Sequence, residues 1–121
     1  MIRNRRWVKD NIVLLGDSQH TAHYSIGSGT KLAMESAIAL FEAVESRPAE
    51  VDQALAEFEE NRRIEVEVTQ HAADVSLSWF ENINRHWGMD PKPFAFALMS
   101  RAKKLTYENL QLRDPVVPGP L

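Results

Sequence analysis

Two rhythms of apolar and polar positions run along this chain, and the change between them falls near Gly29. Upstream, Ile12-Val13-Leu14-Leu15 is a short continuous apolar run closed by Gly16-Asp17, which predicts a buried strand. After Met1, residues up to 10 are polar apart from Ile2, Trp7 and Val8, and fit a short strand or an arm. His20 to Gly29 is a polar, glycine-bearing loop. Then Leu32, Ala33, Ala37, Leu40, Phe41 and Val44 recur at helical spacing, predicting a helix to about Glu45. Ser28 or Thr30 is its N-cap and Ser46-Arg47-Pro48 its stop.

Between Pro48 and Gly88 there is neither proline nor glycine. Val51, Leu55, Phe58, Arg62, Glu65, Val68, Ala72, Val75, Trp79 and Ile83 fall on one helical face. One very long helix, or two nearly collinear ones, is expected, with Pro48 in the first turn and Ser46 as cap. Arg62 and Glu65 interrupt the stripe, so they are either partly exposed or paired with a partner domain, because lone charges are rarely buried. Gly88-Met89-Asp90-Pro91 ends this stretch, and Pro91 to about Leu105 predicts a last helix. The proline-rich C-terminal tail, residues 113–121, is expected to be extended.

The predicted class is therefore mainly α, with three or four helices and at most one or two short N-terminal strands. A lone strand cannot satisfy its backbone donors and acceptors, and no second convincing strand follows it. That mismatch suggests a missing companion segment.

Composition narrows the picture. With 121 residues, 44% hydrophobic and 26% charged, the chain reads as one globular domain with no need of staples. Its net charge of −3 gives no electrostatic case for nucleic acid, and Arg3, Arg5 and Arg6 are only a local cluster. The absence of cysteine excludes disulfides and thiolate metal sites and fits a cytoplasmic location. No apolar run approaches the ~20 residues of a membrane span. The basic N-terminus lacks the apolar core of a signal peptide and reads as an internal segment that happens to start with Met1.

Candidate chemistry gathers where the two rhythms meet. Asp17 at a strand tip can accept hydrogen bonds, and the backbone of Gly27, Ser28, Gly29 and Thr30 at a helix start can face negative charge. Together they suit an anionic or hydroxyl-rich ligand, although Asp17 alone equally fits an Asx turn and the glycines an ordinary tight turn. The pattern is not the G-x-G-x-x-G of a dinucleotide strand turn. His20 and His23 form H-x-x-H without a third ligand, so no metal site is assigned. Ser18, Ser25 and Ser28 lack the strand–G-x-S-x-G–helix elbow of a hydrolase, and no catalytic residue is nominated. His71 and His86 read as surface or packing residues, and Trp79, Phe80 and Trp87 as core or interface.

The order of these residues carries a resemblance. Gly16-Asp17-Ser18-Gln19-His20, then Gly27-Ser28-Gly29, then Ala33 to Leu40 resembles the second flavin-binding motif of the single-component (class A) FAD-dependent aromatic hydroxylases. That motif runs G-D-A-A-H, a proline-containing loop, G-x-G-x-N and A-x-x-D-A. Phe58-Glu59-Glu60-Asn61-Arg62-Arg63 resembles the Y-E-x-x-R-R segment that follows it. Tyr24 stands where the loop carries proline, Lys31 where it carries asparagine, and Glu35-Ser36 at the acidic position. The run from His20 to Leu40 and the later RAKKLTYENLQLRDP are most similar to the aryl-CoA branch, comprising salicylyl-CoA 5-hydroxylases and 2-aminobenzoyl-CoA monooxygenase/reductase. The resemblance spans Arg6 to Pro115.

What it implies is a part of an FAD- and NAD(P)H-dependent monooxygenase. Gly16 and Asp17 would serve the ribityl chain, with Asp17 as hydrogen-bond acceptor. The Gly27, Ser28 and Gly29 backbone would face the pyrophosphate side and the flavin N1–C2=O edge, and Thr30 is counted with them as cofactor-binding. His20 and Tyr24 would lie near the isoalloxazine or the substrate entrance. On this reading residues 1–46 are the C-terminal piece of an α/β FAD-binding domain and 47–112 a C-terminal helical region. The G-x-G-x-x-G unit and the substrate-binding sheet lie elsewhere, so a complementary FAD- and substrate-binding portion is the implied partner. Isolated, the chain is expected to bind FAD weakly or not at all and to be inactive. The alternative is a non-catalytic helical interaction module derived from that family. In either case an uncovered apolar surface predicts dimers or higher oligomers.

Overall fold

The computed structural model of the chain describes residues 1–113, so the 114–121 portion of the predicted tail lies outside the described residues. The chain divides into two compact units, Met1–His71 and Ala72 onward, and the division falls within a helix.

In the first unit, strands β1 (Val8–Lys9) and β2 (Ile12–Val13) form an antiparallel hairpin, pairing Val8 with Val13 and Lys9 with Ile12. Asp10 takes the turn at φ +53°, a left-handed conformation that aspartate tolerates better than most residues. The predicted buried strand over Ile12–Leu15 is thus corrected. Its partner lies upstream, it is two residues long, and Ile12 is 65% exposed. Beyond it Leu14 N–H donates to the Trp7 carbonyl at 2.8 Å and only Val13 and Leu15 pack on the core.

Helix α1 spans Gly29–Ser46 and helix α2 Val51–Glu81, the first of the two alternatives, one long helix or two nearly collinear ones, that the sequence offers. Pro48 lies in the turn before α2, not in its first helical turn. There Glu50 N–H donates to the Arg47 carbonyl at 3.1 Å, and the Arg47 side chain pairs with Glu50 and Glu57. The core joins Trp7 of the hairpin arm, Leu32 of α1 and Phe58 and Val66 of α2, with Val13, Leu15, Ala22, Ala39, Leu40 and Ala43 packed around them. Burying such side chains contributes on the order of 2 kcal/mol each.

The buried face of α2 departs from the predicted stripe. Leu55, Phe58, Arg62, Val66 and Gln70 are buried, whereas Val68 is 57% exposed and the Glu65 side chain is largely in solvent. Polar residues occupy buried positions because each meets its partners there. Gln70 donates to the carbonyls of Ile2 (3.0 Å) and Thr21 (2.8 Å), and Arg62 bonds to α1. The pairing expected of Arg62 with a partner domain is met within the chain instead.

In the second unit, Ala72, Ala73 and Ser76 of α2 are buried. The helix stops at Glu81, earlier than the proline- and glycine-free stretch suggests, where the Asn82 side chain donates to the Ser78 carbonyl at 2.8 Å. A 3₁₀ turn Ile83–Arg85 follows, then α3 (Pro91–Ser100) and α4 (Tyr107–Arg113). The predicted last helix to Leu105 is shorter than expected. Ser100 Oγ bonds back to the Phe96 carbonyl, Lys103 turns the chain at φ +56°, and Thr106 Oγ1 accepts from Asn109 N–H to start α4. Arg113, assigned to the tail, closes α4. Trp79 stacks on His86 at 5.0 Å and meets the edge of Phe80 at 5.2 Å, making these residues a packing cluster.

Candidate functional site

The turn that carries Asp17 is built from both sides. Gly16 sits at φ +64°, and its hydrogen faces Ala33 of α1, whose Cβ would be 3.9 Å from a Cβ added at Gly16. Residues Gly16–Ser18 then form a single 3₁₀ turn. Ser18 Oγ donates to the Leu15 carbonyl at 2.8 Å, and Gln19 N–H donates to the Gly16 carbonyl at 3.0 Å. Asn4 clamps the turn from outside, its amide donating to the carbonyls of Ser18 (2.7 Å) and Gln19 (2.8 Å). Asp17 is left exposed at the tip.

The loop that follows is anchored at its start, where Thr21 Oγ1 accepts from Ile2 N–H at 2.7 Å. A 3₁₀ turn Tyr24–Ile26 ends at Gly27, whose φ of +63° places it where a side chain would be strained. Ser28 occupies the N-cap position of α1 but does not cap it. Its hydroxyl donates to the Ile26 carbonyl at 3.3 Å. The first-turn N–H groups of an α-helix have no partner within the helix, and Ser28 supplies none here.

These segments enclose an open concavity of about 660 Å³, lined by Asp17, Thr21, Ala22, Tyr24, Gly27, Gly29, Thr30 and Ala33. Four of the six residues singled out from the sequence, Asp17, Gly27, Gly29 and Thr30, therefore share one wall. Gly16 and Ser28 do not line it. Thr21, Ala22 and Ala33 were not singled out in the sequence; small side chains next to a loop carry little signal there. A carboxylate, a hydroxyl and helix-start amides around one hollow can hold a ligand bearing both hydroxyls and negative charge.

His20 and His23 go separate ways. His23 stacks near Tyr24 at 4.4 Å and accepts from Ser25 N–H through Nδ1 at 3.3 Å. His20 is buried, its ring 5.7 Å from Trp7, and Nε2 has no hydrogen-bond partner among the described residues. It does not line the concavity. Burial lowers its pKa below the usual histidine value, assisted by the charge of Arg62 and opposed by a backbone hydrogen bond and Asp17.

Behind the site, the segment Phe58 to Arg63 works as a brace. Glu59 accepts Trp7 N–H and Val8 N–H, each at 3.1 Å, fixing the hairpin to α2. Arg63 pairs with Glu59, donates to the carbonyls of Asn4 and Arg5, and lies 4.6 Å over the Trp7 ring. Arg62 crosses to α1, donating to Ser36 Oγ at 3.2 Å, to the Leu32 carbonyl at 3.4 Å and to Glu35 at 2.8 Å, and also pairs with Glu65. Hydrogen bonds from Lys31 and Arg62 hold the Glu35 carboxyl below its ordinary pKa.

No family model and no solved structure matches the chain. Curated proteins do. It is 43% identical to a salicyloyl-CoA 5-hydroxylase from Streptomyces sp over 112 residues, which cover 93% of this chain and 22% of that enzyme. Identity is 49% over 82 residues to the 3-hydroxy-4-methyl-anthranilyl-(aryl-carrier protein) 5-monooxygenase of Streptosporangium sibiricum, covering 68% of the chain and 23% of the relative. An FAD-dependent urate hydroxylase from Mycolicibacterium vanbaalenii is 41% identical over 71 residues, 59% of the chain and 16% of the relative. The chain thus spans less than a quarter of the length of the relatives it matches. By this similarity it belongs to the FAD-dependent aromatic monooxygenases.

Proposed function

We propose that the chain supplies the ribityl- and flavin-edge-contacting part of a flavin-dependent aromatic monooxygenase that hydroxylates an aromatic acid held as a thioester. One observation carries the reading: Asp17, Gly27, Gly29 and Thr30 line a common hollow at the uncapped start of α1. The donor set suits FAD. The Asp17 carboxylate accepts from ribityl hydroxyls, and Gly29 allows close approach of backbone N–H to the pyrophosphate side and the N1–C2=O edge. When bound, FAD supplies the redox chemistry; these residues bind and orient it. The thioester class rests on the printed substrates of two relatives, a salicyloyl-CoA and an aryl-carrier protein.

One carboxylate and one helix end cover little of a cofactor that size, so a complementary portion carrying the ADP-binding unit and the substrate pocket completes the enzyme. On this reading residues 1–46 complete the flavin domain and 47–112 form its C-terminal helical region. The test compares FAD retention after gel filtration in two contexts. One is the chain alone; the other is the chain substituted for the matched segment of the Streptomyces hydroxylase. The chain alone is expected to emerge colourless and the chimera yellow. Stoichiometric flavin on the isolated chain would overturn the claim of incompleteness, and a folded, colourless chimera the claim of a flavin site.

A further inference from the structure

Helix α1 is apolar on two sides. Its inner side presents Leu32, Ala39, Leu40 and Ala43 to the core. Its outer side carries Met34, Ala37, Ile38 and Phe41, spaced to form one continuous stripe, and the three large residues are 63%, 56% and 64% exposed. Exposed apolar stripes of this kind mark contact surfaces.

The stripe is continuous with the candidate cofactor hollow. Thr30 and Ala33, which line the hollow, lie one helical turn before Met34 and Ala37. Whatever covers the stripe therefore also borders the open side of the hollow. The relatives provide a candidate of sufficient size, because more than three quarters of each relative lies outside the matched region.

We propose that the Met34–Ala37–Ile38–Phe41 stripe is the docking face for the complementary portion of the monooxygenase. That portion seats an apolar surface there and walls the flavin hollow in the same step. The inference rests on the proposed function and adds the surface through which assembly occurs.

The absence of cysteine in the chain makes a direct probe possible. Ile38→Cys is prepared in the isolated chain and in the chimera with the Streptomyces hydroxylase, and maleimide labelling at that position is followed by mass spectrometry. Fast labelling in the isolated chain and at least tenfold slower labelling in the folded chimera is the expected result, with both contexts equally reactive in urea. Equal rates in the two folded contexts would overturn the proposal. So would protection in the isolated chain that disappears on dilution, because the occupant would then be a second copy. If the chimera does not fold, the same thiol is followed in a mixture. The chain is refolded together with the Streptomyces enzyme shortened by the matched residues. Protection only in the mixture supports the proposal, and none overturns it. Parallel measurement of bound FAD separates the two claims. Protection without flavin sinks the cofactor reading alone, and flavin without protection sinks the docking face alone.

Discussion

Arg62, near the middle of α2, donates to the hydroxyl of Ser36 on α1 at 3.2 Å, and both side chains are buried. The contact joins two residues 26 positions apart and holds α1 from the side opposite its exposed stripe. Glu35 and Glu65 balance the guanidinium charge, so the buried cation is paired on both helices.

Arg62→Met keeps the aliphatic stem but removes every donor, leaving Ser36 Oγ without its partner. Stability is expected to fall by about 2 kcal/mol, measured by urea unfolding. Ser36→Ala in the same background should cost less than it does alone, because the two groups act as one unit. Additive losses would show that the contact contributes nothing as a pair.

Asp17→Ala removes an exposed carboxylate that makes no structural bond of its own in the turn, where Ser18 and Asn4 hold the backbone. Stability should change by less than about 0.5 kcal/mol. In the chimera, FAD affinity should drop by roughly ten- to a hundredfold, the loss expected for a charge-assisted hydrogen bond. A flavin titration followed by fluorescence quenching reads both limits.

Gly27 and Gly29 should respond oppositely to alanine, although a Cβ at either meets nothing within 4 Å. Gly27 has φ +63°, so Gly27→Ala is strained and should destabilise the chain by about 1 kcal/mol. Gly29 begins α1, where alanine is the better helix former, so Gly29→Ala should raise the thermal midpoint slightly. The same substitution should weaken flavin binding in the chimera. A variant that is more stable yet binds flavin less well is a signature that a purely structural glycine would not give.

His20 predicts a defined pH dependence. Its pKa is lowered in the folded chain, chiefly by burial, from an ordinary value of 6.5. Above that value it is neutral in both states and contributes no slope. As pH falls through 6.5 toward the lower folded value, only the unfolded chain takes the proton, so stability declines. Below the folded value this contribution levels off. Glu35 adds a separate decline beneath its ordinary 4.5, where its ion pairs with Lys31 and Arg62 are lost. Thermal melts from pH 7.5 to 5 should show the first slope, and His20→Asn should abolish it.

The helices and the site loop were largely legible in the sequence, because they depend on local signals. Helix spacing after Gly29 and the break at Gly88–Pro91 act within a few residues of themselves. The buried face of α2 was not legible, and the reason lies in particular side chains. Hydrophobic spacing favours Val68, which is exposed, over Gln70, which is buried because Ile2 and Thr21 present carbonyls to it. Nothing near Gln70 in the chain announces partners 68 and 49 positions away. Gln19 is a harder case: its side chain is fully buried and its amide makes no hydrogen bond among the described residues, a feature for which the packing offers no account. One or two short N-terminal strands are legible in the sequence, but their pairing into a hairpin is not, since two-residue strands are too short to show alternation. At the candidate site, residue order singles out Asp17 and the glycines, whereas nothing in the sequence marks Thr21, Ala22 and Ala33, which line the same hollow.

The clamp on α1 from its far side has a consequence for how this region can vary. Arg62 and Ser36 join α2 to α1 well away from the loop that precedes α1. Tyr24, at the loop tip, is 87% exposed and bears none of that load. A change of side chain at Tyr24 would therefore reshape the mouth of the hollow without touching the Arg62–Ser36 contact.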